Sequence, residues 1–189
     1  MNRTNPRRRR MLFLFVAFFV SAVILGALLY RKYEQSRHAP STPPPAKEAG
    51  TIIVTLFFAD QGGNGLRREA REIDVCDELS SCADAVVEEI MNGPVSELAP
   101  TLPGTFSYHD IKVTGDTAVI DLDRGALEGL PEGSSAEMSA VYSIVDSITF
   151  NFPQIRRVQF LMDGAALSTA KGHLDLREPL PPDYSLETK

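Results

Sequence analysis

Asp121 and Asp123 lie one residue apart in residues 117–123, which read as a strand. Alternate strand residues share a face, so the two carboxylates stand about 7 Å apart at a rise of roughly 3.3 Å per residue. That pairing suits general acid–base work or a hard cation. The favoured reading is plainer: they solubilise the outer face of a half-exposed sheet, because Ala118, Ile120 and Leu122 fall on the opposite face. Asp110, Asp116, Asp163 and Asp175 fall at turns or strand ends, where Asp is favoured for backbone reasons. Ser80, Ser81, Ser134 and Ser135 sit at expected helix starts, and capping explains them. The chain has no G-x-S-x-G elbow and no S-x-x-K motif. His38, His109 and His173 show no metal-ligand spacing with the cysteines. Residues 60–65 (DQGGNG) form a Gly-rich turn that is neither a phosphate loop nor a dinucleotide fingerprint. The expected catalytic, cofactor-binding and metal sets are therefore all none, and no enzyme activity is expected.

Cys76 and Cys82 are the two cysteines of the chain. In an oxidising compartment such a pair is expected to form a disulfide, with free thiols as the alternative. Their spacing does not match the C-x-x-C of thioredoxin-like redox sites.

The elements that hold these residues follow from periodicity and punctuation. Residues 51–58 (TIIVTLFF) are β-branched and aromatic and apolar on both faces, so they predict a strand central in its sheet. Residues 66–75 (LRREAREIDV) are charged and predict an edge strand, with a helix as the alternative. Ser81 predicts an N-cap for a helix to Asn92, with Ala83, Val86, Val87, Ile90 and Met91 as its apolar stripe and Gly93-Pro94 as its stop. Residues 106–114 and 117–123 predict a hairpin turning at Gly115-Asp116. Ser134 and Glu137 have capping-box spacing before a longer helix to about Phe150, in which Met138, Val141, Val145 and Ile148 recur at helical spacing. Residues 156–162 and 173–176 predict two last strands, and the Pro-rich residues 179–189 a loose tail. The expected fold class is α/β, two helices packed on a mixed or antiparallel sheet.

Residues 11–30 (MLFLFVAFFVSAVILGALLY) carry neither charge nor proline. Twenty residues at about 1.5 Å each match a bilayer core of roughly 30 Å, so this segment is expected to be a transmembrane helix. Arg3, Arg7, Arg8, Arg9 and Arg10 outnumber the cations after it and predict a cytoplasmic N-terminus, residues 1–10. A cleaved signal peptide is the competing reading, but the run is long for one and ends without a small-x-small site. Residues 31–50, with Pro40, Pro43, Pro44 and Pro45, form an extended linker. Residues 1–50 hold nine Lys/Arg against two Asp/Glu, net +7, whereas residues 51–189 hold ten against twenty-three, net −13. An acidic exported part argues against nucleic acid as a partner through a broad basic face.

Residues 51–178 carry an ordered set of segments: TLFFAD, AVVEEIMNGPVSEL, LPGTFSYHDIKVTGDTAVIDLDR with its G-[DN]-x-A-x-V-D-L core at residues 115–122, the helix at 137–151, RRVQFLMDG and GHLDL. In this order they resemble the GerMN domain of spore germination and sporulation proteins. The resemblance implies a fold similar to the ring-building-motif domains, two helices on a three-stranded sheet with extra strands. It also implies a membrane-tethered envelope setting, and it transfers no catalytic residue. The chain departs from the family pattern in having one copy of the domain, no lipobox, and the Cys76/Cys82 pair. The expected function is a non-enzymatic, extracytoplasmic binding or assembly module of the cell envelope. It is expected to be anchored by a single span in the cytoplasmic membrane, with an envelope protein or its own copies as partner. An envelope enzyme or ligand-sensing domain acting on peptidoglycan or a small ligand is the alternative.

Overall fold

The computed structural model describes residues 18–21, 23–28, 30, 50–63 and 65–188. The chain divides into two compact units, Met1–Lys47 and Glu48–Lys189. In the first, the described residues are helical and solvent-exposed. Residues 1–10, residues 11–17, 22 and 29 of the expected span and the linker over 31–49 lie outside the described residues. Among the described residues no helix is long and apolar enough to cross a membrane.

The second unit has the order β1 (Thr51–Ala59), β2 (Leu66–Asp74), α1 (Leu79–Asn92), β3 (Tyr108–Thr114), β4 (Thr117–Leu122), α2 (Ser134–Asn151), β5 (Arg157–Met162) and β6 (Ala165–Ala166), then a 3-10 turn at Tyr184–Leu186. The strands make two sheets where one was expected. β1 and β2 form an antiparallel pair, with Thr51 opposite Asp74 and Ala59 opposite Leu66. The other sheet is mixed, in the order β3-β4-β5-β6. Its β4–β5 pair is parallel because α2 carries the chain between them.

One core cluster joins both sheets and both helices. Ala118, Ile120 and Leu122 of β4 lie in it, as their alternation requires. Val86, Val87 and Ile90 of α1 join Val141, Val145 and Ile148 of α2. Met91, expected on the α1 stripe, is exposed instead.

β1 is not central. Its apolar character on both faces reflects burial of Val54, Leu56, Phe57 and Phe58 beneath the helices, while among the described residues its outer edge meets no third strand, only a single bridge from Ala99 to Ala59. α2 closes that edge with side chains. Asn151 Oδ1 accepts from Thr55 N–H (2.8 Å) and its Nδ2 donates to the Thr55 carbonyl (2.7 Å). Ser147 Oγ accepts from Phe57 N–H (3.0 Å), and Ser143 Oγ donates to the Phe57 carbonyl (2.5 Å). Ser143, Ser147 and Asn151 recur every four residues, so they form one stripe along the helix.

Three further expectations need correction. Neither helix is capped by a serine: the N-cap positions are Glu78 and Gly133, without side-chain caps. Ser80 Oγ instead accepts from Val113 N–H at the edge of β3 (3.0 Å). Residues 173–176 are not a strand, because the turn at Asp163-Gly164 pairs Ala165–Ala166 with β5 directly. The segment after residue 178 is docked rather than loose. Leu180 exchanges two backbone bonds with Val158 of β5, and Thr188 N–H donates to the Leu66 carbonyl of β2 (2.8 Å), so the tail straps one sheet to the other.

Candidate functional site

Asp121 and Asp123 do not converge on a common point. Asp121 Oδ1 accepts from Gly164 N–H (2.8 Å), holding the β5–β6 turn. Asp123 Oδ1 meets His109 Nδ1 at 2.9 Å. The other ring nitrogen of His109 lies 3.3 Å from Asp163 Oδ1, and Arg124 reaches Asp163 Oδ2 at 2.9 Å. His109 sits at an irregularity in the β3–β4 register, between Tyr108 and Asp110, which explains how it turns towards these carboxylates. The hydrogen bond to Asp163, reinforced by Asp123 and Asp121, raises the His109 pKa. The same bond from His109, with Arg124, lowers that of Asp163. Because the two imidazole nitrogens address different carboxylates, the cluster is an ion-pair latch. Among the described residues no group of three or more His, Cys, Asp or Glu could hold a metal.

The most strongly shifted carboxylates are internal. Glu137 is fully buried and accepts from Thr169 Oγ1 (2.8 Å) and from the N–H groups of Ala170 (3.0 Å), Lys171 (2.9 Å) and His173 (2.8 Å). Burial pushes its pKa up, but these bonds and that from the His173 ring outweigh it and lower the value to about 2. The residue read as half of a capping box therefore pins residues 169–173. Glu69 of β2 plays the same part for residues 95–96. It accepts from Val95 and Ser96 N–H and pairs with Arg71 (2.6 Å), whose guanidinium also reaches Glu89 (2.6 Å). Burial raises the Glu69 pKa, and the bonds from Ser96, Arg71 and Val95 outweigh it to leave it at about 2. Asp146 of α2 is buried, accepts from Asp183 N–H (2.9 Å) and leaves Oδ2 without a partner among the described residues. Burial, with Asp183 and Glu187 nearby, pushes its pKa up to about 6. None of these three was singled out in the sequence as a tertiary staple. A charged residue alone in an apolar helical stretch is the signal that marks Asp146; Glu69, one of many charges in β2, carries no such signal.

Two surface features remain. An open groove of about 630 Å³ lies at the β1–β2 turn, lined by Asp60, Gln61, Arg67, Arg68, Ser96 and Glu97 among others. The second is the outer edge of β2. In the β1–β2 ladder Gly50 bonds Val75 and Asp60 bonds Gly65, which turns the N–H and C=O groups of Leu66, Arg68, Ala70, Glu72 and Asp74 away from β1. Thr188 takes the Leu66 carbonyl. Among the described residues the backbone groups of Arg68, Ala70 and Glu72 on this edge have no partner. Cys76 and Cys82, just beyond β2, are disulfide-bonded, with Cα atoms 5.3 Å apart.

Comparison with known proteins agrees with this architecture. The Germane family, described as sporulation and spore germination, matches residues 55–168. The tandem GerMN domains of the sporulation protein GerM from Bacillus subtilis share 20% identity, with a TM-score of 0.53 over 70% of this chain and 46% of theirs. That likeness shows the fold. The first GerMN domain of the same protein shares 21% identity over 70% of this chain and 96% of its own, with a TM-score of 0.49. A Clostridium perfringens protein described as a lipoprotein shares 24% identity over 70% of this chain and 88% of its own, also at 0.49. None of the curated proteins matches. With more than half of its residues matched, this chain belongs to the Germane family of sporulation and spore germination domains.

Proposed function

We propose that the protein is a non-enzymatic binding and assembly module of the cell envelope, held outside the cytoplasm by its N-terminal segment. The observation that carries the reading is the open edge of β2, whose outward backbone groups at Arg68, Ala70 and Glu72 are presented at the surface. An extended segment that adds to such an edge gains main-chain hydrogen bonds without needing a pocket. The strongly shifted carboxylates support the same reading, because Glu69 and Glu137 spend their acceptor capacity on internal loops. The anchor rests on residues 11–30, uncharged and apolar, with five arginines before them.

The test uses the full chain in living cells. A photo-crosslinking residue placed at Glu72 is expected to give a defined crosslinked species, lost when Ala70→Pro removes an outward N–H. No species at any expression level would overturn the reading. Protease added to spheroplasts is expected to digest residues 51–189, and protection of that part would overturn the orientation.

The groove beside Arg67 and Glu97 favours a second reading, a ligand-sensing domain. It predicts a rise in melting temperature with peptidoglycan fragments, which the first reading does not.

A further inference from the structure

The charge order along β2 identifies what its open edge fits. The outward groups belong to residues 66, 68, 70, 72 and 74, so a partner strand must set its own outward residues opposite these. The strand reads LRREAREID, and Ala70 lies at its centre. Antiparallel pairing of two copies about Ala70 places Arg68 opposite the partner's Glu72 and Glu72 opposite the partner's Arg68. The same register sets Glu69 opposite the partner's Arg71 on the other face, where both are already ion-paired within their own copy, so the exposed Arg68 and Glu72 carry the new cross-strand pairs. Sliding the centre to Glu69 brings Glu69 against Glu69 and Arg67 against Arg71; sliding it to Arg71 brings Arg71 against Arg71. Like charges directly opposite one another destabilise a sheet, whereas opposite charges support it. Of these three, only the Ala70-centred register sets Arg68 against Glu72 and places no like charges opposite one another.

We propose that the β2 edge is a self-recognition surface, joining two copies of this chain in an antiparallel β2–β2 pair centred on Ala70. Charged edge strands generally resist pairing with foreign strands. Here the same charges admit the strand's own copy and reject a shifted one. The side chains fit the role: Ala70, on the twofold position, is small and exposed, and Arg68 and Glu72 lie exposed on the same face. The Cys76–Cys82 disulfide closes the chain just past the end of the strand. Thr188, bonded to Leu66, takes the first position of this edge and, among the described residues, leaves residues 68–72 for the pair. So short a ladder makes a weak dimer, which tethering two copies to one surface would favour by raising their local concentration.

The inference rests on the binding-module reading and is tested by charge exchange on the full chain in detergent solution. Wild type is expected to show concentration-dependent dimerisation in sedimentation, and Arg68→Glu and Glu72→Arg alone are each expected to weaken it at least tenfold. Mixing the two single variants is expected to restore dimers, because each then presents the other's complement, as is the double variant. Since Arg68 also contacts Glu187 and Phe150, a folding defect would weaken the single variant but would not be repaired by mixing. Ala70→Cys gives a second readout: a symmetric disulfide forms on mild oxidation, because opposed hydrogen-bonded residues have Cα atoms about 5.5 Å apart. Failure of mixing to restore dimers, or absence of that crosslink in the Ala70→Cys variant, overturns self-pairing. Should residue 72 crosslink reproducibly to a different protein while these fail, the binding-module reading stands and the self-pairing falls. Should it crosslink to nothing, both fall.

Discussion

Glu137 shows how one carboxylate can be mistaken for a local device. Its position three residues after Ser134 has the form of a capping box, which would hold the first turn of α2. Tertiary contacts offer more donors: Thr169, Ala170, Lys171 and His173 all point at its oxygens. A carboxylate accepts several bonds at once, so the long-range set displaces the local one. With the pKa lowered from 4.5 to about 2, the charged form is favoured in the folded state. The stability it contributes is complete above pH 4.5 and is lost as pH falls towards 2. Glu137→Gln is expected to cost about 3 kcal/mol at pH 7, because buried N–H groups lose an ionised acceptor. It should also flatten the acid side of the stability curve. Urea denaturation of both chains between pH 2 and pH 7 measures both effects.

At the scale of elements, α2 both fills the core and completes a sheet. Its apolar residues pack inward, while Ser143, Ser147 and Asn151 stand where a third strand would bond to β1. This explains why a strand apolar on both faces is found at an edge. Helix cover supplies the burial that a central position would give, and the polar stripe supplies the missing hydrogen bonds. Asn151→Ala is expected to destabilise the fold by about 2 kcal/mol, since it leaves both Thr55 N–H and C=O unpaired. Accelerated hydrogen exchange at the Thr55 amide is the matching local signature, and Ser139→Ala, one turn before Ser143 and without a hydrogen bond to β1 among the described residues, should show neither effect. The stripe is visible in the sequence as polar residues at four-residue intervals in an apolar helix. Its partner is not visible, because nothing local says which backbone those side chains meet.

For the whole domain, Glu48–Lys189, the tail decides how the two sheets are joined. It adds to the edge of β5 at Leu180, crosses α2 at Asp146 and reaches β2 at Leu66. Tyr184 on this path stacks on Phe57, at 6.0 Å between ring centres, and meets Phe150 edge-on. Asp146, buried beneath the strap, has its pKa raised from 3.8 to about 6. The sign is opposite to that of Glu137: its favourable contribution is full below pH 3.8 and is lost as pH rises through 6. Asp146→Asn is expected to raise stability at pH 7 by about 1–3 kcal/mol, at roughly 1.4 kcal/mol per pKa unit, with the gain vanishing near pH 4. Melting curves of the two chains at pH 4 and pH 7 check it.

Neighbouring residues alone settle the strand and helix spans that depend on local periodicity. The alternation in β4, the β3–β4 turn at Gly115-Asp116, the long apolar helix and the stop of α1 at Gly93-Pro94 are written there, where sterics and period decide. The Germane membership was legible for the same reason, since it rests on ordered local segments. Tertiary packing settles the rest: that there are two sheets, that Glu137 and Glu69 serve distant loops, and that the Pro-rich tail is a strap. The placement of Asp121, Asp123 and His109 as latches on turns belongs with these. Each depends on which donors and acceptors lie across space from a residue, and burial sets the cost of leaving them unpaired. Neither is encoded in a residue's sequence neighbours.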